Sequence, residues 1–178
     1  MKTFAKIRLF LITSLIVVGL SSCDPTEKLP PGTFLEYRGH QVFTFGEGTH
    51  ADSLNVQIWF QNGEGNIGMR PGETGFNFFV HLFDLTADSG FVPMQVRNDS
   101  TGLMEDIIYS YRIPATIAGQ NPSEGSIKGT IDFGLGPRTG FGFIPVHSEQ
   151  GIIRFEMYMY DRDKVRSNIV VTPDIRIR

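Results

Sequence analysis

Asn62-Gly63-Glu64-Gly65-Asn66 places oxygen-bearing side chains on alternate residues, with glycines between them. A hard cation such as Ca2+ draws several oxygens to about 2.4 Å, and loops that hold it use this kind of spacing. Asn62, Glu64 and Asn66 are therefore candidate calcium ligands, and Glu73 is placed to approach from the loop that follows. The run departs from the EF-hand pattern. It has one carboxylate, no opening Asp and no bidentate Glu at the expected distance. A Gly/Asn-rich connection between strands, selected for φ > 0, has the same composition. Farther along, Asp161 and Asp163 bracket Arg162, with Lys164 and Arg166 behind them. Asp161 reads either as a cation ligand at a strand end or as the cap of its own turn through an Asx-type hydrogen bond.

The four histidines, His40, His50, His81 and His147, are too far apart for a local zinc pattern. His81 precedes Asp84 by three residues, which in a strand puts the two on opposite faces and disfavours a base with its orienting carboxylate. Nucleophile elbows, phosphate-binding Walker loops and zinc-protease helices are absent. Gly134-Leu135-Gly136 and Gly140-Phe141-Gly142 precede no helical pattern, so they read as loop or strand-end glycines rather than phosphate cradles. Glu64, Glu73 and Asp84 would serve a hydrolase only if the fold gathered two of them into one cleft. Aromatics are the other lead. Phe141 and Phe143 sit among glycines between strands, and Tyr109, Tyr111, Tyr158 and Tyr160 alternate along theirs. Such rings either pack in a core or, on a surface, stack on sugars and anchor protein partners.

The first residues read as an address. Lys2, Lys6 and Arg8 precede an apolar run that ends in Leu20-Ser21-Ser22-Cys23. A basic start, a short apolar centre and small residues before the cut make a secretory signal peptide, and the run is shorter than the roughly 20 residues of a membrane span. Leu20-Ser21-Ser22-Cys23 resembles the lipobox of bacterial lipoproteins. The resemblance implies a diacylglyceryl thioether on Cys23, cleavage before it and acylation of the new amine. Each buried acyl methylene contributes about 0.8 kcal/mol, so two or three chains hold a soluble domain on a bilayer. Cys23 is the only cysteine, which leaves the mature body without a disulfide, a thiolate metal site or a thiol redox centre.

Residues 1–22 are thus read as a signal peptide, 23–33 as an acylated Pro-rich tether, and 34–178 as one folded domain. Of 16 basic residues the leader holds three, leaving 13 against 19 acidic and a formal charge of −6. That balance argues against nucleic acid, which needs a basic surface to displace counterions. Fifteen Phe indicate a packed core.

The domain reads as short strands broken by Gly, Pro and Asn. Leu54, Val56, Ile58 and Phe60 alternate with polar residues and Trp59, and Ile153, Phe155, Met157 and Met159 occupy one face of another strand. Residues 76–85 read as a central strand, Ile127 to Leu135 as a strand with a bulge at Gly129, and 168–178 as an edge strand interrupted by Pro173. Past the leader helix the expected fold is all-β, an antiparallel sandwich of seven to eight strands. The stretch from Ile153 to Arg162, followed by Ser167-Asn168 and Thr172-Pro173, resembles the last hairpin of bacterial immunoglobulin-like modules. With the lipobox, the chain is similar to small lipoproteins of Bacteroidota-type bacteria. Apart from the calcium candidate no cofactor is expected, and the resemblance carries over no catalytic residue. The expected function is a non-catalytic binding or assembly module for an envelope protein or glycan, held to the bilayer through Cys23. A hydrolase of envelope glycans or peptides and a purely structural component are the alternatives. Asp24 resembles a retention signal of the inner membrane in enteric bacteria, but the expected address is the outer membrane, on either face.

Overall fold

The computed structural model describes residues 31–44, 51–115, 126–136 and 148–177. Cys23, the leader with its expected helix, and Phe141 and Phe143 lie outside them. The described residues form eleven strands and no helix: β1 (Thr33–Thr44), β2 (Ala51–Asn62), β3 (Phe78–Thr86), β4 (Gly90–Pro93), β5 (Gln95–Arg97), β6 (Met104–Asp106), β7 (Ile108–Tyr111), β8 (Ile127–Leu135), β9 (Ile152–Met159), β10 (Val170–Val171) and β11 (Ile175–Arg176). All strand pairs are antiparallel. One sheet runs β1-β2-β8; the other runs β10-β9-β3-β4, with β11 also on β9 and β7 also on β3.

Eleven exceeds the expected seven to eight because two strands are interrupted. β7 pairs with Phe78–His81 and β4 with Phe83–Thr86, on the same edge of β3. Between them Leu82 bonds Met94 and Ile107, which close the base of the small β5–β6 hairpin. β10 and β11 likewise share one edge of β9, split at Pro173, which has no N–H to donate. Counted by position, three strands face four, and a hairpin projects from the second sheet.

Period-2 alternation builds the core. Leu54, Val56, Ile58 and Phe60 of β2 are fully buried, and so are Ile153, Phe155, Met157 and Met159 of β9. Phe133 of the first sheet meets Phe155 of the second edge-on at 5.6 Å, and Tyr111 at 5.2 Å. Such pairs contribute about 0.5–1.5 kcal/mol each beyond the area they bury. Trp59 lies on the opposite side of β2, half-buried beneath Arg38 at 5.2 Å. Gly129 is not a bulge, and the expectation is corrected: β2 and β8 stay in register past it. It is small because the Phe60 ring lies over it, 3.0 Å from where a Cβ would stand.

Tyr109 and Tyr111 face inward from β7 against Phe133. Burial pushes the Tyr109 hydroxyl to about 12; burial and then Tyr109 push Tyr111 to about 12. A raised folded pKa favours the protonated form. The associated stability is therefore present below the ordinary value of 10 and is lost as pH climbs from 10 through 12. A denaturation midpoint followed over that window is expected to fall, and Tyr109→Phe with Tyr111→Phe to flatten the fall.

Side chains finish the sheet edges where backbone cannot. Asn168 offers its amide as a substitute peptide: Oδ1 accepts from Leu35 N (2.7 Å) and Nδ2 donates to Leu35 O (2.9 Å). This ties the edge of β1 to the β9–β10 connection. Ser167 and Thr172 accept from the N–H groups of Met159 and Phe155 at 3.0 Å, on either side of β10. An unpaired buried backbone group costs about 1–3 kcal/mol. Asn168→Ala is expected to lower stability by about 2 kcal/mol in urea unfolding, while Asn168→Gln keeps the chemistry but not the reach.

Candidate functional site

At one end of the sandwich the connections β2–β3 and β9–β10 meet. Asn62 closes an Asx turn there: its Oδ1 accepts from the N–H groups of Glu64 and Asn66, both at 3.1 Å. Its amide donates to Thr33 Oγ1 (3.0 Å) and Asn66 Oδ1 (2.8 Å). All four polar positions of Asn62 are thus used in shaping the loop. With its oxygen so held, Asn66 directs its amide nitrogen at three carboxylates: Glu64 (3.2 Å), Asp161 (3.4 Å) and Asp163 (2.5 Å). Oxygens of the three all lie within 4.8 Å of one another. Of the candidate calcium ligands, Glu64 presents a carboxylate to this cluster, Asn66 presents a donor and Asn62 presents nothing. Asp161 and Asp163 join from the far end of the chain.

The two N–H groups of the Asn66 amide are shared among three anions, and among the described residues none of the three has an ion-pair partner. Asp161 is buried and caps its own turn, accepting from Val165 N at 2.8 Å, as its second reading expected. Arg162 spans the two loops, donating from its side chain to Gly65 O and from its backbone to Asn66 O. Lys164 has φ +64°, a left-handed backbone that a Lys adopts at a cost.

Beside this cluster lies a cavity of about 360 Å³ whose lining includes Glu73, Asn77, Asp161, Arg162 and Lys164. Glu73 does not reach the carboxylate cluster; it accepts from Arg70 N at 2.7 Å. Asn77 is spent as a second substitute peptide, accepting from Ile113 N and donating to Ile113 O. Asp84 stands apart on the inner face of β3, held by the Ser148 hydroxyl and Glu149 N. His81 lies on the outer face of that strand, so the two do face apart. Of the three candidate hydrolytic carboxylates, Glu73 alone lines the cavity, which Asp161 also lines.

The second surface is the outside of the β9–β3 sheet. Phe79 and Tyr158 are direct cross-strand partners, stacked at 5.4 Å and 19°. Tyr160 meets both edge-on at 5.9 and 5.6 Å. His81 lies 5.5 Å from Tyr158, and Arg166 covers Tyr158 at 5.5 Å. Arg154 sits 3.9 Å over Phe91 and pairs with Asp174. Burial chiefly raises the Tyr158 hydroxyl pKa; Tyr160 adds to the rise and Arg166 opposes it. The opposite outer face, on β1, β2 and β8, carries Gln57, Thr130 and Asp132; its aromatics are Trp59, under an Arg38 that is paired with Glu36 at 2.9 Å, and Phe34 on β1, and neither stacks on another ring among the described residues. No family model, no curated protein and no solved structure matches this chain. The asymmetry of the two faces therefore stands on the chain's own geometry. Alternation placed Tyr158 and Tyr160 near each other, and these two were singled out in the sequence. Phe79 was missed, and His81 and Arg166 were read for other roles, because only the cross-strand register brings them alongside.

Proposed function

We propose that this chain is a non-catalytic binding module of the cell envelope, tethered through lipid on Cys23, which meets its partner with the outer face of the β9–β3 sheet. One observation carries the reading: Phe79, His81, Tyr158 and Tyr160 form a continuous half-exposed aromatic surface with no further layer of the described residues upon it. A sheet face left to water is ordinarily polar, as the other outer face is apart from the separate rings of Trp59 and Phe34, and exposed apolar patches mark interaction sites. The strand order adds support for the immunoglobulin-like reading, since three strands oppose four around one core with the third and sixth positions paired at its centre. Lipoprotein character rests on Leu20-Ser21-Ser22-Cys23, and the outer-membrane address is proposed against the enteric retention rule that Asp24 resembles.

The test uses the full chain in a diderm bacterium, with a photo-crosslinking residue at Tyr158 or at Gln57. Adducts at 158 and not at 57 are expected. Equal labelling, or none at 158, overturns the surface. Palmitate labelling that survives in Cys23→Ala overturns the anchor. A hydrolase is the second reading, favoured by Glu73 and Asp161 lining one cavity. Envelope-glycan turnover abolished by Glu73→Gln in the same cells would establish it.

A further inference from the structure

Taking the binding surface above as the site, we infer that its occupant is an extended acidic polysaccharide. The mature sequence is acidic, 13 basic residues against 19, yet this face runs the other way. Arg154, Arg166 and Arg176 lie on it against Glu156 and Asp174. Arg176 is placed there by its pairing with Ile152, and Glu156 by its pairing with His81. The Arg154–Asp174 pair (2.6 Å) cancels. Among the described residues Arg166 and Arg176 are in no ion pair.

A guanidinium held over a ring is preset for a carboxylate, which it takes in two parallel hydrogen bonds. The flat rings beside it suit the C–H faces of pyranoses, and their phenol and imidazole edges suit hydroxyls. Phe79, His81 and Phe83 repeat along β3 at about 6.6 Å, two residues of rise, so the platform is a strip and favours a chain lying along it. The anchors of a protein partner settle best in desolvated pockets. The cavities of about 360 and 480 Å³ both open elsewhere, lined by none of these rings. A denser polyanion such as a nucleic acid would meet the acidic remainder of the domain, whereas a uronate chain, with about one charge per sugar, is matched by a few arginines.

The full chain, solubilised in detergent, is run through native gels containing polygalacturonate, neutral dextran or no polymer. Polygalacturonate is expected to retard it and dextran to leave it unchanged. Arg166→Ala and Tyr158→Ala should each weaken the apparent affinity about tenfold, while Arg38→Ala, with the same charge change on the other sheet, should not. No retardation, or equal losses in Arg166→Ala and Arg38→Ala, overturns the inference. Equal retardation by dextran removes the acidic class and leaves the surface standing. Adducts at Tyr158 that are exclusively protein, without gel retardation, replace the glycan with a protein.

Discussion

Gly68→Ala is expected to cost the domain about 3 kcal/mol and roughly 10 °C in Tm. Gly68 has φ +84°, where a side chain is strained. A Cβ there would stand 2.7 Å from Pro114 O and 2.8 Å from Ala115 Cα and N. These are backbone atoms and cannot swing aside as a flexible side chain would. Relief requires the β2–β3 loop to lift away from Pro114 and Ala115. That movement stretches the bonds Met69 N to Ile113 O and Ala115 N to Met69 O, both 2.8 Å. Gly72 supplies the control, since it has φ +89° but nothing within 4 Å of its Cβ position. Gly72→Ala should cost about 1 kcal/mol, the left-handed backbone alone. Equal Tm losses for the two variants would refute the close approach at Gly68.

The other large effect is expected from Asn66→Asp, which replaces the only amide among Glu64, Asp161 and Asp163 with a fourth carboxylate. Like charges about 4–5 Å apart repel by about 3–4 kcal/mol at the effective dielectric of a protein surface. A loss of about 3 kcal/mol at low salt is therefore expected, with part recovered in 1 M NaCl. Millimolar Ca2+ should recover more than salt of equal ionic strength, because the variant offers four converging carboxylates. A variant as stable as the parent at low salt would show that the amide does not neutralise the cluster.

The sequence showed clearly those parts of the molecule that a single strand encodes by itself. The fully buried faces of β2 and β9 follow directly from alternation at Leu54 to Phe60 and Ile153 to Met159. The break at Pro173 followed from a missing N–H. What stayed hidden depended on a partner. A lone Gly in a strand signals either a bulge or a ring laid across it, and only the position of Phe60 decided for Gly129. The division of one edge strand into β4 and β7 became visible only along β3, where Leu82 marks the gap. Asn66 and Asp163 are 97 positions apart. Only Asn66 was a candidate ligand, and no local pattern could join the two. Nor could composition say that Asn62 and Asn66 would turn their amides to structure and to anions, because a side-chain amide carries donor and acceptor alike.

Thr33 pairs with Asn62 and bonds its side chain, so the chain enters the domain at the same end as the carboxylate cluster. With lipid on Cys23, ten residues of tether span at most about 30 Å. The domain would then stand with its strands upright and these connections toward the bilayer, their charges balanced: Glu64, Glu73, Asp161 and Asp163 against Arg70, Arg162, Lys164 and Arg166. In this posture the arginine-bearing aromatic sheet would look sideways along the membrane, toward whatever polymer runs parallel to it.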